Sequence, residues 1–269
     1  MSSTLITRVI PPIRRPGTRA HRLLERNLMV YRRIWMIIVS GFFEPVFYLF
    51  SIGIGVGALV GEIQLSDGRL ITYSAFVAPA LLAASAMNGA VFESTMNVFF
   101  KLKWGKIYDA ILTTPLQPLD IAVGETAFSL MRGGIYSVGF VIVMAAFGLV
   151  DSWWGLAAVP ACLLIGFAFA GVGLAATTFM KGWQDFDLVT LVVQPLFLFS
   201  GTFFPIEVYP PTLQIIARLS PLYHGVELIR AATQANGDWS ILGHAGFLLA
   251  MGLIGMTIAQ RRFHRLLLP

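Results

Sequence analysis

Charge is scarce in this sequence, and cysteine is almost absent. Asp, Glu, Lys and Arg supply 12% of the 269 residues, while 57% are hydrophobic. A soluble domain carries about twice that charged share, so the composition excludes an ordinary soluble protein and points to one integral membrane domain. Cys162, the one cysteine, lies in an apolar run. It cannot form an internal disulfide, no zinc-ligand spacing exists, and a small buried side chain is expected. A phosphate-cradling GxxxxGK[ST] loop is also missing. Gly105-Lys106 comes nearest but lacks the earlier glycine and the following hydroxyl. His21, His224, His244 and His264 have no metal-like spacing, and no nucleophile elbow occurs. There are no internal repeats or low-complexity tracts, and no cleavable signal is expected, because the first 33 residues hold eight arginines and no apolar core.

Long apolar runs fill the rest. A transmembrane helix needs about 20 mostly apolar residues. Six candidates meet or approach that length: 34–60, 70–100, 121–150, 153–180, 188–204 and 241–259. The first four exceed one bilayer and must tilt, kink or overhang. Pro45, Pro79 and Pro195 are candidate kink sites, and the fifth run is the weakest, with Gln194, Pro195 and Gly201 inside it. Lys and Arg sort to alternate loops, fifteen on one side against three (Arg69, Arg218 and Arg230) on the other. The positive-inside rule therefore predicts cytoplasmic N- and C-termini. Trp35, Trp104, Trp153, Trp154, Trp183 and Trp239 all fall near predicted span ends, as an interfacial belt requires.

Residues 1–33 read as a cytoplasmic tail and an amphipathic interfacial helix, residues 34–263 as the membrane domain, and residues 264–269 as a cytoplasmic tail. In the interfacial helix, Leu24, Leu28, Tyr31 and Trp35 share one face, with Arg22, Glu25, Arg26, Arg32 and Arg33 on the polar surface. A merely basic tail is the alternative. The external segment after Phe204 predicts two short helices over 211–233, with Ser220 and Pro221 as the N-cap and N1 of the second. Gly53, Gly57 and Gly61 lie four apart, as do Gly171 and Ala175, a spacing that allows close helix contact.

Between the second and third runs stands "GKIYDAILTTPLQPLDIAVGE". Residues 103–113 predict a short amphipathic helix on the cytoplasmic side, with Ile107, Tyr108, Ile111 and Leu112 in adjacent rows. Thr114 precedes Pro115, which disfavours helix, and Pro118 suits N1 of the next helix, with Asp120 in its first turn. A stiff elbow of this kind transmits force better than a flexible loop.

"YDAILTTPLQPLDIAVGE", "EPVFYLFSIGIGVG" and "PLFLFSGTFFPIEVYPPTLQIIARLSPLYHGVELIRA" together resemble ABC-2 type transporter permeases, in particular the branch of nodulation protein J, lipo-oligosaccharide and daunorubicin-type exporters. The resemblance runs from about Arg22 to Arg262. It implies an all-α membrane subunit of six transmembrane helices, with an N-terminal connecting helix, a cytoplasmic coupling helix and short external helices between the fifth and sixth spans. It further implies a homodimer, or a heterodimer with a related permease, that binds two ATPase subunits. ATP and Mg would reside on those partners and no cofactor on this chain; membrane lipid, and no nucleic acid, is the other expected partner. The cargo implied is a glycolipid, lipo-oligosaccharide or hydrophobic drug, moved outward across a bacterial cytoplasmic membrane. Lys103, Ile107, Tyr108, Asp109 and Leu112, with Arg22 and Arg26, are the implied ATPase-coupling residues. Phe203, Phe204, Tyr223, His224 and Glu227 are the implied exit cap.

Charges within the runs cost roughly 2.5–3.5 kcal/mol each on insertion scales and need partners. Glu44, Glu93, Glu125 and Arg132 are these residues. Glu125 and Arg132 lie seven apart on one helix face, which suggests compensation directly or through Glu93. They read as a structural ion-pair network near the interface, with a polar gate for a cargo headgroup as the alternative. Two other functional classes stay open: a secondary transporter or channel, and an intramembrane transferase using His224 and Glu227.

Overall fold

The computed structural model describes residues 19–33, 43, 46–65, 68–150, 152–234 and 238–267. Glu44, Pro45, Trp35 and most of the N-terminal tail lie outside the described residues. In chain order the elements are helix α1 (Ala20–Arg33), the short apolar helix α2 (Val46–Val60), a hairpin of β1 (Glu62–Gln64) and β2 (Leu70–Thr72), and the long helix α3 (Tyr73–Trp104). Then come the elbow α4 (Ile107–Leu112), α5 (Pro118–Ala146), α6 (Trp153–Thr177), α7 (Asp185–Phe199), α8 (Pro211–Leu219), α9 (Pro221–Thr233) and α10 (Ser240–Leu267). Four helices among the described residues, α3, α5, α6 and α10, are long and apolar enough to cross a membrane.

Local chemistry starts and stops these helices. Thr72 caps α3, its hydroxyl accepting the Ala75 N–H at 3.3 Å. Pro118 occupies N1 of α5, and Gln117 and Asp120 close a reciprocal capping box over that terminus. Ser152 accepts from the Trp154 N–H at 3.1 Å at the head of α6. Pro79 and Pro195 lie inside continuous helices. Ser220 stands at the N-cap of α9 but does not cap it through its side chain; its hydroxyl pairs instead with that of Ser200 at 2.5 Å.

Several boundaries differ from the sequence reading. The fold is not purely helical: β1 and β2 form a small antiparallel hairpin with Ile63 opposite Ile71. Three-residue strands carry too short an alternation to be read against their apolar surroundings. The second run stays helical through Trp104, because no breaker precedes Gly105. Lys106 then takes a left-handed backbone, φ 44°, and the elbow helix is only the six residues Ile107–Leu112 rather than 103–113. The fifth run begins earlier and ends earlier, at Phe199, where Ser200–Phe204 turn back around Gly201 at φ +70°. The last helix continues to Leu267, through the residues read as the start of a tail.

The core has two centres. The larger gathers Phe76, Met87, Phe140, Ile165, Leu222 and Leu248 from five helices. The smaller lies at the elbow end, where Leu23, Val98, Tyr108, Ile121, Leu174 and Phe263 meet. Between them, α6 and α10 cross backbone to backbone. A Cβ placed on Gly171 would lie 2.6 Å from the Gly252 carbonyl oxygen, and one on Gly255 would lie 2.4 Å from the Gly171 carbonyl carbon. The Gly171 face is thus used within the chain. Gly53 likewise packs inside, its carbonyl accepting the Ser74 hydroxyl at 2.6 Å. By contrast, no residue of α7 is buried, and Leu188, Leu191 and Val192 are exposed along it.

The crossing generates a test. Gly171→Ala should lower stability by about 1–3 kcal/mol, the usual cost of overpacking, because a carbonyl cannot swing aside. Gly133→Ala, where a Cβ meets nothing within 4 Å, should match or exceed the parent through helix propensity. Thermal unfolding of both variants in detergent compares them; equal midpoints would remove the crossing as a constraint.

Candidate functional site

The elbow is fastened from beneath by one carboxylate. Glu125 sits in the second turn of α5 and is 3% exposed. Its Oε2 accepts from Lys101 Nζ at 2.8 Å and from Asn27 Nδ2 at 3.0 Å. Its Oε1 accepts from the Tyr108 hydroxyl at 3.0 Å. Those donors come from α3, α1 and α4, so four elements converge on one side chain. The Tyr108 ring also meets Phe263 of α10 edge-on, with centroids 6.1 Å apart. Burial, and next the Glu125 carboxylate, push the Tyr108 phenol well above its ordinary pKa, so it remains a donor at any physiological pH.

This burial corrects the expectation that Tyr108 faces a partner. Tyr108 and Ile111 point into the chain, Ile107 and Leu112 are half-buried, and Asp109 and Lys103 are exposed. The reason is spacing: Tyr108 and Ile111 are three apart and lie on the single face that a helix this short can pack.

Helix α1 docks on the same region. The Arg19 N–H donates to Asp120 Oδ1 at 3.0 Å, and the Arg19 guanidinium donates to the Pro115 carbonyl at 2.8 Å. Leu23 lies so close to Gly124 that a Cβ there would meet it at 2.8 Å. The face against α5 is therefore Ala20, Leu23 and Asn27, whereas Leu28 stays exposed and Leu24 half-buried. The apolar row predicted through Leu24 and Leu28 runs beside the docked face. Arg26 donates to the Asn27 amide oxygen at 3.3 Å, and Arg22 is an exposed partner of Glu25 at 3.2 Å.

A second buried pair lies deeper. Arg132 Nη1 meets Glu93 Oε2 at 2.6 Å, Asn97 donates to the other Glu93 oxygen, and Arg132 Nε donates to the Tyr136 hydroxyl at 3.0 Å. Glu125 and Arg132 are thus each matched from α3 rather than with one another. The two pairs stack along the antiparallel α3–α5 contact. Seven residues separate the α5 members, but eight separate Glu93 from Lys101. In regular α-helix eight residues overshoot two turns by about 80°. Two π turns in α3, Glu93–Asn97 and Phe100–Trp104, wind less per residue and return Lys101 to the face of Glu93.

Arg132 and Tyr136 also wall a cavity of about 640 Å³ among α2, α3, α5 and α7, with Asn88, Gln194 and Phe197 among its other lining residues. Most of its wall is apolar. On the opposite end, Tyr223, His224 and Glu227 share α9. Phe203 turns to Phe197 at 5.2 Å and Phe204 to Tyr209 at 4.9 Å, so the expected cap residues do not form one cluster. His224 pairs with His244, Nδ1 to Nδ1 at 2.7 Å, while Glu227 pairs with Arg230 at 3.1 Å. The His224–Glu227 acid–base pair of a transferase is not assembled. Burial, then His244, hold the His224 imidazole below its usual pKa.

Asn27 and Lys101 escaped the sequence reading. Lys101 counted there only toward loop charge, although its separation from Glu93 nearly repeats that of Arg132 from Glu125. Asn27 carried no stronger signal than an amide beside an apolar row.

Breaking the hub should be costly. Lys101→Met leaves a buried carboxylate without its cation, and a loss of about 3–5 kcal/mol is expected. Lys101→Met with Glu125→Gln should recover much of it, as read by unfolding in detergent; an additive double mutant would show that the two groups are not coupled.

Comparison with known proteins agrees with the geometry. The sequence is 31% identical over 247 residues to nodulation protein J of Rhizobium leguminosarum bv. viciae, covering 90% of this chain and 93% of that protein. It is 32% identical over 244 residues to nodulation protein J of Sinorhizobium fredii, covering 88% and 91%. The inner membrane transport permease YadH of Escherichia coli K12 is 26% identical over 239 residues, covering 86% and 90%. Residues 19–233 match the family pattern described as ABC-2 type transporter. That match takes in the docked helix, the elbow, the Glu125 hub and the outer helices, and the chain belongs to the ABC-2 type transporter family.

Proposed function

We propose that this chain is the membrane subunit of an ATP-driven exporter, moved from the cytoplasm through its elbow by a separate ATPase. The observation that carries this reading is the Glu125 hub. The elbow is tied to Glu125 of α5 by the Tyr108 hydroxyl, and the same carboxylate holds Lys101 of α3 and Asn27 of α1, so the elbow moves as one body with them and a push on it is delivered to the spans rather than absorbed in a loop. Membership of a transporter family and the lack of a phosphate-binding loop both support an ATPase on another polypeptide. Asp109, Lys103 and Leu112, together with the exposed Arg22 and half-buried Arg26, form the contact surface in this reading. Tyr108 and Ile107 position it. ATP and Mg stay with the two ATPase subunits.

Six spans follow if residues 34–60 and α7 cross beside the four long helices. The excess of Lys and Arg then sets both termini in the cytoplasm of a bacterium, in its inner membrane. The exposed apolar side of α7 suits lipid or a second permease, identical or related. The cargo is amphipathic: the 640 Å³ cavity offers an apolar wall to a chain or ring system, and Asn88 and Gln194 offer amide groups to a polar one. A glycolipid, a lipo-oligosaccharide or a hydrophobic drug has that division. The names of the relatives, nodulation protein J and an inner membrane transport permease, support bacterial export.

Two substitutions separate contact from transmission. Asp109→Arg, on the exposed side of the elbow, should abolish co-purification with the ATPase subunit while leaving membrane insertion intact. Tyr108→Phe should keep the complex but lower export per ATP hydrolysed about tenfold, the equivalent of one lost charge-assisted hydrogen bond. Full export by Asp109→Arg would sink the assignment of the elbow as the lever.

A further inference from the structure

One wall of the 640 Å³ cavity is fastened very differently at its two ends. Helix α7 supplies Phe186, Val189, Thr190, Val193, Gln194 and Phe197 to that wall, a single face at helical spacing. Its outer half is anchored. Val193, Leu196 and Phe197 pack on the larger core. Just beyond the helix, Ser200 meets Ser220 at 2.5 Å, and the Gly201 carbonyl accepts from Arg230 Nη2 at 2.5 Å. At the elbow end, the Lys181 and Gly182 N–H groups donate to Asp185 Oδ2 at 2.5 and 3.1 Å, so the head of α7 is capped by its own turn. Among the described residues, no hydrogen bond or ion pair joins residues 181–190 to another helix.

A cluster of rings holds this half instead. Trp183, in the turn before α7, stands edge-on to Phe100 at 5.1 Å and to Trp104 at 5.5 Å, and tilted to Phe99 at 6.5 Å. Phe186 is edge-on to Phe99 at 5.3 Å. Centroid separations of about 4.5–7 Å are those at which aromatic edges attract faces. Phe186 also belongs to the cavity wall, so the cluster floors the cavity at its elbow end. Phe99, Phe100 and Trp104 lie in the last turns of α3. Trp104 is its final residue, followed by Gly105 and the left-handed Lys106 that lead into the elbow.

This contact can part at small cost. Phe99 is buried, but Trp104 is 61% and Trp183 42% exposed, so separating them uncovers little further apolar surface. Where a membrane helix ends, an indole released from its neighbours is accommodated among lipid headgroups. A buried ion pair such as Lys101–Glu125 has no such alternative. Few buried apolar contacts mark the segments of a fold that open first.

We propose that the Trp183 cluster is a latch. Trp183 positions the elbow half of α7 against the end of α3, and its release lets α7 swing about its outer anchor and opens the cavity floor. The Glu125 hub ties the elbow to α1, α3 and α5; the latch is a separate connection, to a cavity wall that the hub does not touch. Movement of the latch under ATP rests on the reading of the elbow as a lever, but the latch itself does not.

The experiment uses the full chain in nanodiscs without an ATPase, in a Cys162→Ala background. Spin labels on Asp187→Cys and His264→Cys read the elbow half of α7 against α10. Labels on Leu198→Cys and Leu242→Cys read the outer half against the same helix; all four positions are exposed. Labelled chains are diluted with unlabelled ones so that pulsed EPR reports distances within one chain. In Trp183→Ala, a longer elbow-end distance should rise in population about tenfold or more over the parent, with the outer distance unchanged. Trp183→Phe, which keeps a ring, should stay close to the parent. An elbow-end distribution that Trp183→Ala leaves as in the parent overturns the proposal, and so does equal broadening by Phe and Ala. If Trp183→Ala disturbs both distances, Trp104→Ala decides from the other side of the contact: an unchanged elbow-end distance there overturns the latch, and a change confined to it supports the latch. With no ATPase present, an elbow that proves not to be a lever would leave a positive result standing, and a failed latch would leave the elbow reading untouched.

Discussion

One buried carboxylate organises the elbow end of this protein. Glu125 would be among the most expensive side chains to hold in an apolar surround if left alone, since the effective penalty for a buried ion is several kcal/mol. It is tolerated because a cation, an amide and a phenol all reach it. The same requirement dictates geometry: α1, α3, α4 and α5 must stand where their donors meet one point. Electrostatic necessity has become a mechanical joint.

The joint extends along the α3–α5 contact. Arg132 and Glu93 repeat the pairing about two turns further on. Two antiparallel helices of equal pitch would lose register between pairs spaced seven and eight residues apart. The π turns of α3 absorb the difference, at the cost of a poorer hydrogen-bond ladder, and at the first of them Ser94 and Thr95 return hydroxyls to the carbonyls of Ala90 and Val91. Close backbone contact does the corresponding work between α6 and α10, where Gly171, Gly252 and Gly255 leave no side chain between the helices. Polar pairs orient one face of the bundle and small residues the other.

Two cavities divide along the same line. The one beside Arg132 is mostly apolar and lies between long helices. The one beside Arg230 is polar, balanced in charge, and roofed by elements too short to cross a bilayer.

Much of this was legible from residue order alone. Apolar length marked the four long helices, Pro118 and Asp120 marked the start of α5, and the proline pattern marked the turns of the elbow and the outer helices, because capping and helix breaking act over a few residues. Scarcity of charge marked Glu93, Glu125 and Arg132 as needing partners. Tertiary structure alone decided who those partners were. Lys101 reaches Glu125 only because π turns rephase α3, and Asn27 only because Leu23 fits against Gly124. Tyr108 faces inward because a six-residue helix has one face to bury. His224 meets His244 rather than Glu227 because α10 comes to lie beside α9. Contacts between residues 20 to 100 positions apart depend on how helices cross, and no local pattern encodes a crossing.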